Sequence, residues 1–191
     1  YELTRGVNAT PITVNNTGGN PESWSIFPDL PEGLVFNEYD GTITGTPVNN
    51  MTATSYQIRA ENLGGSSTST IIITVVEPEP ILNISDNNIT IYVGDSLENI
   101  SITNSGGPIA NWTITPALPE GISFSEYHQV IFGSPVTVSS GIYTISAINS
   151  GGISSVEFNL TVLTTPPELS TASSLSEFLL IRGEEIETIS I

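Results

Sequence analysis

Several residue types are missing or scarce in this chain of 191 residues. It has no cysteine, which excludes disulfides, thiolate chemistry and cysteine-ligated zinc. It also has no lysine and only three arginines, Arg5, Arg59 and Arg182, against 20 acidic residues, so its formal net charge is −17. Nucleic acids and anionic membrane surfaces are recognised by clustered basic side chains. We therefore expect neither of them as a partner.

Long apolar runs are absent as well. The longest run, around Ile71–Ile73, has the length of a strand, whereas roughly 20 apolar residues are needed to cross a bilayer. No membrane insertion is expected in this segment, and no signal peptide is visible at Tyr1. Both ends interrupt the repeat pattern described below, which indicates a segment of a longer protein.

The only histidine, His128, offers little to catalysis. It lies in Glu126-Tyr127-His128-Gln129, with no nucleophile or orienting group at a suitable spacing. Asp and Glu are scattered over many turns, and no pair of carboxylates is singled out for glycoside cleavage. The sequence therefore predicts an exposed turn residue at His128, no catalytic or cofactor-binding residue, and no enzymatic activity.

What the chain does have is an internal repeat. Between Asn16 and Val48, 17 of 33 positions recur identically 88 residues later. Leu30-Pro31-Glu32-Gly33, for example, returns as Leu118-Pro119-Glu120-Gly121. A fixed period of this length indicates tandem copies of one folding unit.

Short alternating segments between Gly, Pro, Asn and Ser clusters predict an all-β fold built from seven-stranded sandwiches of about 88 residues. Strands are predicted near Leu3–Arg5, Pro11–Val14, Ser23–Phe27, Leu34–Phe36, Thr42–Thr44, Ser55–Glu61, Thr68–Val76, Ile89–Val93, Ile100–Thr103, Asn111–Thr115, Ile122–Phe124, Val130–Phe132, Ile142–Ile148 and Ser155–Val162. No sustained helical period is present.

The residues that the two copies share predict core and turn positions. Trp24 and Trp112 alternate with isoleucines and are expected to face the core between the sheets. The complete set of structural candidates is Trp24, Trp112, Pro31, Pro119, Gly33, Gly121, Phe36 and Phe124. The Asn-x-Gly-Gly loops that begin at Asn16, Asn62, Asn104 and Asn149 predict glycines with positive φ.

Proline-rich segments divide the chain. Glu77-Pro78-Glu79-Pro80 and Thr165-Pro166-Pro167-Glu168 predict stiff, extended linkers. We expect repeat 1 at 1–77 without its N-terminal strand, a complete repeat 2 at 78–165, and the start of a third copy at 166–191. Terminal strands that complete a neighbouring molecule's sheet are the alternative to a window on a longer array.

The order Trp-x-Ile, Pro-x-Leu-Pro-x-Gly, Gly-x-Pro and Tyr-x-Ile-x-Ala-x-Asn-x-Gly-Gly, present in both copies, resembles the putative-Ig (He_PIG) repeat family. That family is related to the dystroglycan-type cadherin-like domains. The resemblance implies Ig-like or cadherin-like sandwiches strung along large prokaryotic surface proteins, with spacing, adhesive or surface-layer roles and no catalytic motif. The paired acidic motifs of true cadherin linkers are missing, so no metal site is predicted.

Calcium is the only ion for which the sequence offers scattered ligands. Carboxylates at Glu38, Asp40, Glu61, Glu77, Glu79, Asp86 and Asp95 supply suitable oxygens. None has the spacing of a known calcium loop, which favours solvated turn carboxylates. We expect no cofactor, with calcium binding as the weaker alternative.

Eight of the sixteen asparagines begin Asn-x-Ser/Thr triplets, about twice the number expected by chance. These N-glycosylation candidates are Asn8, Asn15, Asn50, Asn83, Asn88, Asn99, Asn111 and Asn159. On a strand, an apolar middle residue that points inward leaves the asparagine on the solvent face. Alternating polar and apolar residues in strands account for part of the excess.

Together these features predict a rod-like, extracellular structural segment of a cell-surface filament or surface layer, from an archaeal source. Its expected partners are neighbouring copies of the same protein and surface glycans. Two alternatives stay open. One is an adhesin module that binds carbohydrate or protein through the Gly-Gly loops, and the other is the spacer of a secreted hydrolase.

Overall fold

A computed structural model describes residues 1–169, and these form an all-β chain without a helix. The all-β prediction is thereby confirmed. From residue 170 onward, the predicted third copy lies outside the described residues. The fourteen strands are β1 Glu2–Thr4, β2 Ser23–Phe27, β3 Leu34–Phe36, β4 Ile43–Gly45, β5 Met51–Asn62, β6 Gly65–Val76, β7 Leu82–Ile84, β8 Asn88–Tyr92, β9 Leu97–Asn104, β10 Asn111–Thr115, β11 Ile122–Ser125, β12 Val130–Gly133, β13 Ser139–Asn149 and β14 Gly152–Leu163.

The second copy, repeat 2, is a sandwich of two four-stranded sheets. One sheet has the order β10-β13-β14-β8 and the other β11-β12-β9-β7. Inward-facing residues of both sheets form its core, in which Phe158 and Tyr143 stack with ring centroids 5.5 Å apart. Strand β8 pairs in parallel with the last strand, β14, over five residues.

Repeat 1 repeats this plan with fewer strands. Its larger sheet has the order β1-β6-β5-β2, and the parallel pair β1–β6 spans three residues. A β3–β4 hairpin faces it, joined to the preceding chain by a bridge between Ile12 and Ile43. Tyr56 lies in the core with its hydroxyl 3.2 Å from the Met51 sulfur, and burial raises its pKa.

The prediction of seven strands per copy is wrong in both repeats. Within residues 1–169, repeat 1 has six strands, because the segment predicted at Pro11–Val14 makes only the single bridge at Ile12. Repeat 2 has eight strands, because Leu82–Ile84 adds β7 beside β9. A strand of three residues between a proline linker and an Asp-Asn turn is too short to show alternation.

Several long strands extend beyond their predicted ends. The hairpin β13–β14 remains paired from Ser139–Val162 at one end to Asn149–Gly152 at the other. The hairpin β5–β6 likewise continues to Asn62–Gly65. The polar, glycine-containing ends that suggested loops are therefore strand ends joined by tight turns.

Candidate functional site at the junction between the repeats

The linker Glu77–Pro80 lies against two loops of repeat 2, loop 104–107 and loop 149–152. The backbone N–H of Glu77 donates to the Ser150 hydroxyl at 2.9 Å, and that of Gly107 donates to the Glu79 carbonyl at 2.9 Å. The side-chain amide of Asn149 donates to the Pro78 carbonyl at 2.7 Å. Pro80 is fully buried. The linker is therefore bound along its length to the repeat that follows it.

The hydrogen bonds to repeat 2 continue from the linker into β7. Ile81 donates its N–H to the Asn104 side-chain oxygen at 2.9 Å, and its carbonyl accepts from the N–H of Ser105 at 3.0 Å. Leu82 donates to the Ser154 hydroxyl at 3.1 Å before β7 pairs with β9. The linker and β7 thus form one continuous docked segment.

Glycines make this close approach possible. A Cβ added at Gly106, Gly107 or Gly151 would overlap a carbonyl oxygen of Glu79, Pro78 or Glu77 respectively. The prediction of positive φ for these loops is wrong at those glycines. In the four loops only Gly65 and Gly152 have a positive φ. At Gly106, Gly107 and Gly151 the absence of a side chain gives the linker backbone room.

An ion pair ties repeat 1 to the linker. The Arg5 guanidinium donates to Glu77 Oε2 from both Nε, at 2.8 Å, and Nη2, at 2.6 Å. The hydrogen bond from Arg5 lowers the pKa of Glu77 below its usual value. The chain's other ion pair among the described residues joins Arg59 to Glu61 at 3.2 Å, with both side chains about half exposed.

The shared prolines and glycines form a reciprocal turn contact in each copy. Gly33 has φ +92°, and its carbonyl accepts from the N–H of Thr46 at 2.8 Å. Gly121, with φ +90°, accepts in the same way from Ser134 at 2.9 Å. A Cβ at either glycine would overlap the carbonyl of the opposing turn. Pro31 and Pro119 lie in these turns and accept from Leu34 and Ile122.

The predicted aromatic positions pack at the edge of each core. Trp112 and Phe124 meet edge to face, with ring centroids 5.2 Å apart, and both pack on the core of repeat 2. Trp24 and Phe36 pack in the same way on the core of repeat 1. All four are half-buried.

The predicted glycosylation sites share one property, which is that all eight asparagines are exposed. They are Asn8, Asn15, Asn50, Asn83, Asn88, Asn99, Asn111 and Asn159. The intervening residues Ile89, Ile100 and Leu160 are buried, as strand alternation requires. Asn159 and Asn88 are neighbours across β14 and β8, with side-chain N and O atoms 3.4 Å apart.

Neither the acidic residues nor His128 gather into a chemical site. Within residues 1–169 no three His, Asp or Glu side chains are arranged to hold a metal ion. Asp40 accepts the N–H of Thr42, and Asp86 accepts that of Asn88, as turn residues do. His128 is exposed beside Tyr127, and its backbone N–H donates to the Ser125 hydroxyl.

In repeat 1, loop 16–19 and loop 62–65 have the same internal bonds as their counterparts in repeat 2. Asn16 donates to the Gly19 carbonyl and Asn62 to the Asn20 carbonyl, at 3.0 and 3.1 Å. Between the two loops lies an open cleft of about 470 Å³. The loops proposed to bind a ligand are therefore covered by the linker in repeat 2 and open in repeat 1.

The docking of the linker was missed by the sequence interpretation, which treated Glu77–Pro80 as a simple spacer. One signal was available. Each of the four loops contains a pair of glycines, although six of those eight glycines have an ordinary φ. Small residues without a conformational reason indicate that another backbone comes close.

A model of the family described as "Putative Ig domain" matches residues 4–77 and again residues 78–165. In the part of the chain that the structure describes, no helix has the length and apolarity to cross a membrane.

Curated relatives include serine-rich adhesins for platelets from Staphylococcus aureus. The adhesin of strain MSSA476 is 24% identical over 192 residues, which cover 100% of this chain and 8% of the adhesin. That of strain MRSA252 is 25% identical over 150 residues, which cover 77% of this chain and 11% of the adhesin. The chain thus spans only a small part of the relatives that it matches.

Among solved structures, Drosophila OTK extracellular domains 3–5 match with a TM-score of 0.50 and 20% identity, over 86% of this chain and 59% of that chain. This likeness shows the Ig-like fold.

Proposed function

The chain belongs to the Putative Ig domain family, and from that premise we propose that it is a stiff spacer segment of a large cell-surface protein. The matched family and relatives are Ig-like domains and adhesins, and the chain is likewise non-catalytic. Its similarity to surface adhesins supports an extracellular location and an adhesive or structural role.

The bound linker is the observation that carries this proposal. A free four-residue connection would let two sandwiches reorient, whereas Glu77–Pro80 is held by backbone and side-chain bonds from loops 104–107 and 149–152. The Arg5–Glu77 ion pair holds the same linker from repeat 1. A joint bound from both sides keeps successive repeats in line, as a spacer requires.

Stiffness can be measured by electron–electron double resonance between spin labels. Because the chain has no cysteine, Val35→Cys and Ile142→Cys place single labels on two exposed positions, one in each repeat. We expect one narrow distance distribution. Gly106→Ala should broaden it, because the new Cβ overlaps the Glu79 carbonyl.

Gly18→Ala is the matched control, since its Cβ would have only one neighbour within 4 Å, the Asn16 side chain at 3.7 Å. It should leave the distribution narrow. A broad distribution in the chain without either glycine substitution would refute the stiff joint.

At a finer level, we propose that the segment contributes to a filament or surface layer, with neighbouring copies as partners and an archaeal source suggested by the sequons. The relation to dystroglycan-type cadherin-like domains belongs to this proposal. Negative-stain electron microscopy of native material, with and without a calcium chelator, tests it. Ordered fibres or lattices support the assembly, and their loss on chelation supports calcium binding. Isolated beaded rods would argue against it.

The second candidate function is adhesion by the segment itself. Tyr39 and Tyr127 occupy equivalent hairpin turns and are 93% and 90% exposed. Tyrosine is enriched at protein interfaces because it combines a large apolar surface with a hydroxyl. Glycan-array binding by the chain that is lost in a Tyr39→Ser/Tyr127→Ser variant would favour adhesion. The spacer of a secreted hydrolase is distinguished by a catalytic domain in the full-length gene.

A further inference from the structure

Two of the open clefts of repeat 1 occupy the positions that the linker and β7 fill in repeat 2. The first is the 470 Å³ cleft, whose lining includes Gly18, Gly19 and Gly64. These glycines are the counterparts of Gly106, Gly107 and Gly151, against which the linker carbonyls lie. In repeat 2 the equivalent space holds Glu77–Pro80.

The second cleft, of about 580 Å³, runs along Val14 and Asn15 and beside Ile71 and Ile72. Val14 and Asn15 correspond to Ile102 and Thr103, which pair with Ile84 and Asn83 of β7. The second cleft is thus the place of a missing edge strand. Both clefts therefore match consecutive parts of one segment, residues 77–85.

Three glycines of repeat 1 are not required by their backbone conformation. Gly18, Gly19 and Gly64 lack a positive φ. A Cβ added at Gly18 would make an ordinary contact, 3.7 Å from the Asn16 side chain, and one at Gly19 or Gly64 would crowd only the Asn62 side chain, at 3.1 and 3.2 Å. A Cβ added at their counterparts in repeat 2 would overlap the linker carbonyls. Glycine at these positions of repeat 1 is explained if a backbone also lies there.

The side-chain amide of Asn62 in repeat 1 also has room for a second hydrogen bond. Asn149 donates to both the Pro108 and the Pro78 carbonyls, at 2.9 and 2.7 Å. Its counterpart Asn62 makes only the first of these bonds, to Asn20. Its second amide hydrogen is therefore directed to the place that the Pro78 carbonyl would occupy.

The two clefts together form a groove on repeat 1. We infer that this groove is a docking site for the linker of a further Ig repeat, that is, for an extended proline-containing segment followed by a short apolar segment. The segment is joined directly to β1, as residues 77–87 are joined to β8, and its short apolar part lies beside Val14 and Asn15. The glycine-lined groove is then the recurring joint of the array. This inference concerns repeat 1 itself and does not depend on a surface role.

The test extends the chain by a duplicate of residues 77–88 placed before Tyr1, because Tyr1 corresponds to Ile89. In repeat 2, Gly107 donates to the Glu79 carbonyl and Ser105 to the Ile81 carbonyl. In repeat 1 the counterpart of Gly107 is Gly19, and the counterpart of Ser105 is Thr17. We expect amide hydrogen exchange at both to slow by about tenfold or more in the extended chain.

Gly18→Ala separates docking from general stabilisation. In the unextended chain it should leave exchange unchanged, because its Cβ has space. In the extended chain it should abolish the added protection at Thr17 and Gly19, because the counterpart Cβ at Gly106 overlaps the Glu79 carbonyl.

Equal exchange with and without the extension would overturn the inference, as would protection that survives Gly18→Ala. Protection of Thr17 and Gly19 in the unextended chain that disappears on dilution would assign the groove to a second copy, and would equally overturn it.

Discussion

Glycine serves two distinct purposes in this chain. Gly33 and Gly121 adopt a left-handed φ and also lie against the carbonyl of the opposing turn, so conformation and space both require them. Gly106 and Gly151 have an ordinary φ and are required only because the linker carbonyls lie against them. Substitutions at these two kinds of position should therefore damage different things, the fold in the first case and the joint in the second.

The half-buried tryptophan of repeat 2 is expected to contribute substantially to stability. Trp112→Ala removes the edge-to-face contact with Phe124 and leaves a cavity at the edge of the core. Truncation of a large buried aromatic side chain lowers the free energy of unfolding by about 3–5 kcal/mol. Because Trp112 is only half-buried, we expect a loss of about 3 kcal/mol. Urea unfolding monitored by circular dichroism measures it.

Tyr127→Ala is the control, because that side chain is 90% exposed and should contribute almost nothing to stability. A loss below about 1 kcal/mol for Trp112→Ala would contradict its assignment to the core.

The linker and β7 act as a single element, although one is proline-rich and the other is a strand. Leu82–Ile84 pairs with β9, while Glu77–Pro80 is bound by the loops that β9 and β13 lead into. The connection between the repeats is therefore bound to repeat 2 along its length.

The Arg5–Glu77 pair makes the joint sensitive to acid. The pKa of the Glu77 carboxyl is lowered in the folded state, so folding favours the ionised form of this group. The stabilisation is therefore fully present above the ordinary value of 4.5, and it is lost as the pH falls through the lower folded-state pKa. Glu77→Gln should lower the melting temperature at pH 7 but have much less effect in strong acid.

Glu61→Gln provides the comparison, since the Arg59–Glu61 pair is about half exposed and solvent screens it. It should change the melting temperature little at either pH. An equal loss for Glu77→Gln at pH 7 and in strong acid would show that the ion pair does not stabilise the joint.

Much of this architecture could be predicted from the sequence, for reasons that particular residues make clear. The segments Ser23–Phe27, Leu34–Phe36 and Asn111–Thr115 are bounded by strong turn residues, and their predicted ends agree with the structure. β7 could not be recognised, because three residues are too few for alternation and its pairing depends on β9, about 20 residues away. The docked linker was missed for a related reason, since its partners are backbone atoms of distant loops.

The chain combines a large negative charge with eight exposed sequon asparagines. With a net charge of −17 and three arginines, neighbouring chains repel one another at low ionic strength. Glycans on the eight exposed sequon asparagines would add a steric barrier to that repulsion. Any lateral assembly must then bring such surfaces together through specific contacts.

Glycosylation is tested by mass spectrometry of peptides from the native source. We expect added sugar mass at several of the eight sequon asparagines, Asn111 among them, because all are exposed. Asn37 and Asn49 are also exposed but lie outside sequons, and they should be unmodified. Recovery of all eight sites as unmodified peptides would contradict the prediction.

The parallel pairing of β8 with β14 affects how repeat 2 would respond to tension. If the chain were pulled at both ends, the docked linker and β7 would be loaded first. Strands β8 and β14 would then be pulled in opposite directions along their length, so their interstrand hydrogen bonds would bear the force together in shear. This zone comprises five residue pairs, from Asn88–Asn159 to Tyr92–Leu163. Because those hydrogen bonds have to break together, we expect the β8–β14 pair to be the main barrier to the unfolding of repeat 2 under tension.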